Sequence, residues 1–218
     1  MKAVNILIAD DHELVRDGLK ARIESHPGWC VCAAANNGRE AVELARRLNP
    51  DVAVLDIGMS ELNGIDAARQ IRQASPQTAV LILTMQDSDE LIRDALTAGA
   101  RGFLLKTDAA RFLPAAIETL LAKKPFFTGR VAELVLAGFL DPGQHASGGI
   151  AASNLLTARE REIVQLLAEA NSSKGIASKL GVSVKTIDAH RANVMRKLNL
   201  HSIAELVRYA MRNKIIEP

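Results

Sequence analysis

The sequence has 218 residues, with 27 Lys+Arg against 25 Asp+Glu, a formal net charge of +2 and 48% hydrophobic residues. This is ordinary globular composition, long enough for one large domain or two small ones, and it excludes a disordered or collagen-like chain. The start meets Asp10 and Asp11 after a short apolar run, too short for a signal-peptide core. No stretch approaches the ~18 apolar residues of a membrane helix, so a cytoplasmic protein with no membrane partner is expected. Cys30 and Cys32 stand two apart in an expected strand, poorly placed for a mutual disulfide, and are read as buried reduced thiols.

The small net charge hides an asymmetry. Residues 1–149 carry 16 Lys+Arg and 19 Asp+Glu, whereas residues 150–218 carry 11 and 6. Between these halves, residues 141–149 are rich in Gly, Ser and Pro with little to bury, which reads as a linker.

From the N-terminus, short apolar runs alternate with segments of helical period. The runs are Ile6-Leu7-Ile8, Val31-Cys32-Ala33, Val52-Ala53-Val54-Leu55, Val80-Leu81-Ile82-Leu83 and Gly102-Phe103-Leu104-Leu105. The helical segments run from Leu14 to Ile23, Glu40 to Leu48, Ile65 to Ile71, Leu91 to Leu96 and Phe112 to Leu121. Such alternation predicts a doubly wound parallel sheet covered on both faces, because near-continuous apolar strands need two buried sides.

In such a sheet, chemistry gathers at the carboxyl ends of the strands. Here those ends carry Asp10 and Asp11, Asp56, Thr84 and Lys106. Three converging carboxylates suit a hard cation such as Mg²⁺, and a lysine with a hydroxyl suits an anion with several oxygens. A phosphoryl group meets both demands, with a carboxylate attacking phosphorus in line. Each strand-end Asp or Thr by itself would more often be a helix cap; the joint placement favours a site. A phosphatase with an aspartyl-phosphate intermediate is a rival reading, but the position two residues after Asp56, where such enzymes keep their proton donor, is Gly58. No Gly-rich nucleotide loop occurs.

Taken together, Asp10-Asp11, Asp56, Thr84 and Lys106 resemble the acidic pair, phosphoacceptor, switch hydroxyl and lysine of the response-regulator receiver domain, over about residues 4–122. The resemblance implies a flavodoxin-like sheet of five strands, Asp56 as phosphoacceptor, Asp10, Asp11 and Asp56 as ligands of Mg²⁺, and Phe103 as a mobile switch aromatic beside Thr84. It departs from the family at Ser60, Met85 and Thr107.

Residues 155–212 read as four helices. Thr157-Ala158-Arg159-Glu160 has capping-box form; a helix from about Lys174 stops at Gly181, and another restarts after Ser183 with Ile187, Val194 and Leu198 inward. Two short helices joined by a Gly-containing turn form a helix-turn-helix, whose second member enters the major groove of DNA. A basic amphipathic helix is often only a solvated face, but Leu156–Glu162, Ile176–Ser183 and Lys185–Arg191 resemble the signature segments of a LuxR-type helix-turn-helix. The resemblance implies that Lys185, Asp188, Ala189 and Ala192 face bases, and that Lys174, Thr186, His190, Arg191 and Lys197 make phosphate or scaffold contacts. A packed core histidine is an equal alternative for His190. Ser173 and Gly175 depart from the pattern.

The halves together resemble a NarL/FixJ-type response regulator. The expected organisation is a receiver over residues 1–122, a linker with a helix around residues 131–140 over 123–153, and a LuxR-type DNA-binding domain over 154–218. The implied partners are a sensor histidine kinase as phosphodonor, double-stranded promoter DNA, and a second copy of the chain upon phosphorylation. A constitutive DNA-binding protein and a phosphate sink with a vestigial output domain are the rival readings from other classes.

Overall fold

The computed structural model describes residues 3–86, 88–129, 131–134 and 155–216. The chain divides into two compact units, Met1–Leu140 and Asp141–Pro218.

The first unit runs β1 (Val4–Ala9), α1 (Glu13–Glu24), β2 (Trp29–Ala35), α2 (Gly38–Leu48), β3 (Val52–Asp56), α3 (Gly64–Ala74), β4 (Ala79–Thr84), α4 (Asp89–Ala98), β5 (Gly102–Leu105), α5 (Lys106–Leu121) and β6 (Phe126–Phe127). The strands pair in parallel in the order β2-β1-β3-β4-β5-β6. This is the expected flavodoxin-like sheet with one more strand than expected. Sequence alone leaves the short β6 in the linker, because two phenylalanines are too brief a run to show a strand period.

Alternation along each strand builds a separate core on each face of the sheet. Leu7, Ala53, Leu55, Val80, Ile82 and Phe103 face one way with α2, α3 and α4, while Ile6, Ile8, Val52, Val54, Leu81 and Leu83 face α1 and α5. All of β3 and β4 is buried. Each fully buried Leu or Ile contributes roughly 1.5–3 kcal/mol relative to exposure, which fixes the register of the central strands. The cysteines are half-buried rather than buried, since β2 is an edge strand. Their thiols donate to Asn5 Oδ1 and the Ile6 carbonyl at 3.1 and 3.4 Å.

Asn37, Asn63 and Ser88 cap α2, α3 and α4 by accepting from the N–H three residues on. Before α1 and α5, His12 and Leu105 provide no side-chain cap. Helix α5 also opens six residues earlier than Phe112, at Lys106, and continues through Pro114. A cation in a first turn opposes the helix dipole by about 0.3–1 kcal/mol. Local preference therefore yields where Lys106 is needed.

The second unit has α6 (Ala158–Ala168), α7 (Ser173–Leu180), α8 (Val184–Lys197) and α9 (Ile203–Arg212) around one apolar cluster that includes Leu156, Ile163, Leu166, Ile176, Ile187, Val194 and Leu206. Thr157 and Glu160 form the expected capping box, and Ser172, Ser183 and Ser202 cap the other helices. Gly181 ends α7 with φ of 64°, a left-handed conformation that glycine adopts without a Cβ penalty. The expected linker helix is helical at residues 131–134; its remainder and residues 141–149 lie outside the described residues. No helix among the described residues is long and apolar enough to cross a membrane.

Candidate functional site

The carboxyl ends of β1, β3, β4 and β5 bring Asp10, Asp56, Thr84 and Lys106 to one edge of the sheet. Asp10 is fully buried and Asp56 is 6% exposed. Burying carboxylates is costly unless a cation compensates. Lys106 does so for both, with Nζ 2.7 Å from Asp10 Oδ2 and 2.9 Å from Asp56 Oδ1. Burial lowers the pKa of Lys106, but the hydrogen bonds to Asp10 and Asp56 outweigh it and leave the value above the ordinary lysine range.

Two glycines let the β3–α3 loop close on this edge. A Cβ on Gly64 would lie 1.9 Å from the Asp56 carbonyl oxygen, and one on Gly38 would lie 1.9 Å from the Leu62 carbonyl oxygen. Both contacts are with backbone, which cannot move aside cheaply, so any side chain at these positions would push α3 away from Asp56 or α2 away from the loop.

The acidic pair has a neighbour that sequence reasoning missed. His12 N–H donates to Asp10 Oδ1 at 3.0 Å, and His12 Nδ1 lies 2.7 Å from Asp11 Oδ1. Ligand atoms of Asp10, Asp11 and His12 all lie within 4.8 Å of one another. The expected set was Asp10, Asp11 and Asp56; in the structure Asp56 joins the pair through Lys106. The only advance signal was the adjacency of His12 to Asp11. Carboxylate oxygens form a donor set that fits Mg²⁺, whereas an imidazole is better suited to softer ions, which leaves His12 as a hydrogen-bonding neighbour of Asp11.

Thr84 is 1% exposed, and its Oγ1 accepts from Gln86 N–H at 3.1 Å. Phe103, also 1% exposed, lies inward among the cluster on the α2–α4 face. Met85 is 68% exposed just beyond Thr84.

In the second unit, α8 turns Ile187 and Val194 into the core, with His190 half-buried on the same stripe. The expected base-facing residues Lys185, Asp188, Ala189 and Ala192 are exposed, as are Thr186 and Arg191 on α8 and Lys174 on α7. Among the described residues, Lys185, Asp188 and Arg191 enter no ion pair with one another or with other side chains. Lys197 differs: its Nζ lies 2.7 and 2.8 Å from the two carboxylate oxygens of buried Glu160, so it ties α8 to α6. Burial raises the pKa of Glu160, but the hydrogen bonds from Lys197 and Thr157 outweigh it and hold the value below the ordinary range. Arg159 reaches Glu162 at 2.6 Å and the Leu180 carbonyl at 3.4 Å, fixing α6 to the end of α7. Thr186 shares a 2.8 Å hydrogen bond with Ser183 at the start of α8.

A parallel sheet with an acidic and lysine-bearing edge, followed by a four-helix unit with an exposed basic helix, defines a receiver coupled to a helix-turn-helix module. Comparison with known proteins agrees. The response regulator receiver domain model matches residues 6–118, and the model for bacterial regulatory proteins of the luxR family matches residues 154–210. The chain is 34% identical over 213 residues to the transcriptional regulatory protein MctR of Rhizobium johnstonii, covering 98% of this chain and 95% of that one. It is 36% identical over 217 residues to the oxygen regulatory protein NreC of Staphylococcus epidermidis, covering 98% and 100%. Among solved structures, it resembles a LuxR-family two-component response regulator from an Aurantimonas species, with 33% identity, a TM-score of 0.59, and coverage of 64% of this chain and 99% of that one. It also resembles the two-component response regulator RcsB in complex with DNA, with 26% identity, a TM-score of 0.57, and coverage of 95% and 98%. The chain belongs to the response-regulator family with a luxR-type output domain.

Proposed function

We propose that this chain is a transcriptional regulator whose DNA binding is switched by phosphorylation of Asp56. The observation that carries this reading is the single Lys106 ammonium held between Asp10 and Asp56 at the strand ends, in a chain whose other half is a luxR-type unit. Asp56 attacks the phosphorus of a phosphohistidine on a sensor kinase: an O–P bond forms, the N–P bond breaks and its electron pair leaves with the imidazole. Lys106 neutralises a phosphoryl oxygen, and Thr84 exchanges its hydrogen bond with Gln86 for one donated to the phosphoryl group. Asp10, Asp11 and Asp56 would hold Mg²⁺, which supplies further charge neutralisation when bound. The chain accepts one phosphoryl group on itself and turns over no external substrate.

We assign residues 1–122 to the receiver, 123–153 to the connection and 154–218 to DNA binding. Lys185, Asp188, Ala189 and Ala192 face the bases, Lys174, Thr186 and Arg191 contact phosphates, and His190 and Lys197 serve mainly as scaffold. Phosphorylation promotes a homodimer, and two luxR-type units then read paired half-sites of promoter DNA in the cytoplasm. The test is incubation with acetyl phosphate and Mg²⁺ followed by intact-mass measurement. One acid-labile phosphoryl group is expected on the wild type and none on Asp56→Asn; equal incorporation by both proteins would sink the assignment.

A further inference from the structure

The edge of the receiver sheet opposite Asp56 is concave as well. An open cleft of about 700 Å³ lies there, at the amino ends of β4 and β5, with Asp51, Arg72, Arg101, Leu120, Leu121 and Lys123 in its lining. That volume falls within the range of small-molecule sites. Its charge is one-sided, with three cations against one carboxylate, although residues 1–149 as a whole carry 16 Lys+Arg and 19 Asp+Glu. Asp51 is already engaged, since its Oδ2 accepts from Asn5 N–H at 2.8 Å. A cation at this edge ordinarily offsets the negative end of a helix and hydrogen-bonds its last carbonyls. Arg72 does stand in the last turn of α3 and Lys123 just beyond α5, but Arg101 belongs to no helix. Among the described residues, the side chains of all three make no hydrogen bond and no ion pair. Gly99 makes room for one of them: its φ is 99°, and a Cβ there would lie 2.4 Å from Arg72 Cδ, so the missing side chain lets Arg72 lie across the turn that leads to Arg101.

We propose that this cleft binds a nucleoside polyphosphate, with its phosphoryl groups on Arg72, Arg101 and Lys123 and its base against the apolar wall of Leu120 and Leu121. A guanidinium presents a planar fork that matches two phosphoryl oxygens, and the cleft offers two such forks with a lysine as a further point charge. Three cations on three separate segments of chain suit a ligand with more than one phosphoryl group. A lone phosphate would leave most of the volume unfilled and the leucines without a partner. The three side chains hold no internal partner, so the ligand displaces no protein contact when it binds.

The test titrates the full chain by calorimetry with ADP and, separately, with pyrophosphate, in EDTA so that no divalent ion can bridge the phosphates to the acidic edge. The wild type should bind ADP, and pyrophosphate more weakly. Arg72→Gln and Arg101→Gln should each weaken ADP binding at least about tenfold, because each removes charge-assisted hydrogen bonds to a phosphoryl group. Arg93→Gln, exposed on α4 outside the cleft, should bind ADP as the wild type does. All three variants should keep the wild-type melting temperature without ligand. A wild type that binds no ADP overturns the proposal, and so does an equal effect of all three substitutions, which would mean diffuse attraction by positive charge. Pyrophosphate bound as tightly as ADP overturns the nucleoside part of the assignment. None of these outcomes touches the reading of Asp56 as phosphoacceptor.

Discussion

In the receiver, two buried carboxylates share one lysine, whereas in the helical unit buried charge is matched pair by pair. Asp10 and Asp56 both turn to Lys106; Glu160 has Lys197 and Glu162 has Arg159. Lys197–Glu160 joins α8 to α6, Arg159–Glu162 lies within α6, and in each pair one cation meets one carboxylate. The crowded edge carries negative charge in excess of its one ammonium, and a cation and a phosphoryl group together can restore the balance. The contrast extends to the surface: in the second unit, Lys185 and Arg191 enter no ion pair among the described residues and lie outward on α8, where a polyanion such as DNA can supply the missing charge. Buried imbalance marks the receiver's chemistry, and exposed imbalance marks the reader's.

The sharpest way to break this comparison is Lys106→Ala. Without its ammonium the receiver edge should lose the link between phosphoryl group and output, so phosphorylated variant should bind DNA no better than unphosphorylated wild type. Fluorescence anisotropy on a fixed DNA fragment checks this, and a full gain in affinity on phosphorylation would contradict it.

Next in size is the independence of the two cores. Leu81 is fully buried in the receiver, so Leu81→Ala should cost about 2–5 kcal/mol there and leave the other unit untouched. The chain has one tryptophan, Trp29 in β2, and one tyrosine, Tyr209 in α9. Denaturation followed by Trp29 fluorescence and by Tyr209 derivative absorbance should show the first transition moving alone; joint movement would mean one cooperative unit.

A smaller effect sharpens the DNA-facing side. Asp188 is exposed on α8 and holds neither Lys185 nor Arg191, so its carboxylate is available to a base. Asp188→Ala should strengthen non-specific binding while flattening preference at one base pair by roughly 1–3 kcal/mol. Binding-site selection that returned an unchanged motif would make Asp188 a plain surface residue. For residues 150–218 as a fragment, with 11 Lys+Arg to 6 Asp+Glu, affinity should fall steeply with added salt.

The smallest effects lie at opposite ends of the pH scale. Glu160 has a lowered pKa, so its contribution is present above the ordinary value of about 4.3 and is lost as pH falls through its own lower value. Lys106 has a raised pKa, so its contribution is present below about 10.4 and is lost as pH rises through its own higher value. Acid should therefore loosen the helical unit through this pair, and strong base the receiver edge. Replacing Glu160 with Gln should flatten the acid limb of the Tyr209 transition; an unchanged limb would show that the pair contributes nothing measurable.

Most of this contrast was readable from sequence because strand-end residues inherit their place from the strand before them. Once Val52-Ala53-Val54-Leu55 is a central strand, Asp56 must emerge at its carboxyl end. The same holds for the capping box at Thr157 and the stop at Gly181, which are local signals. What the sequence hid were consequences of tertiary placement. Two phenylalanines at 126 and 127 carry no period, so β6 and the burial of Val131 went unseen. Helix α5 starts at Lys106 against its own capping preference, which made Phe112 the better apparent start. Lys197 reads as a DNA contact until the fold brings Glu160 beside it, across 37 positions of chain.

The central claim is that chemistry at the receiver edge governs DNA reading by the other unit. It is tested most directly by exposing genomic fragments from the source cell to the full chain, wild type and Asp56→Asn, each with and without acetyl phosphate and Mg²⁺, and sequencing what is retained. Phosphodonor should concentrate wild-type binding onto a limited set of fragments sharing paired half-sites, and should change nothing for Asp56→Asn. The same fragments retained to the same extent in all four samples would contradict the account.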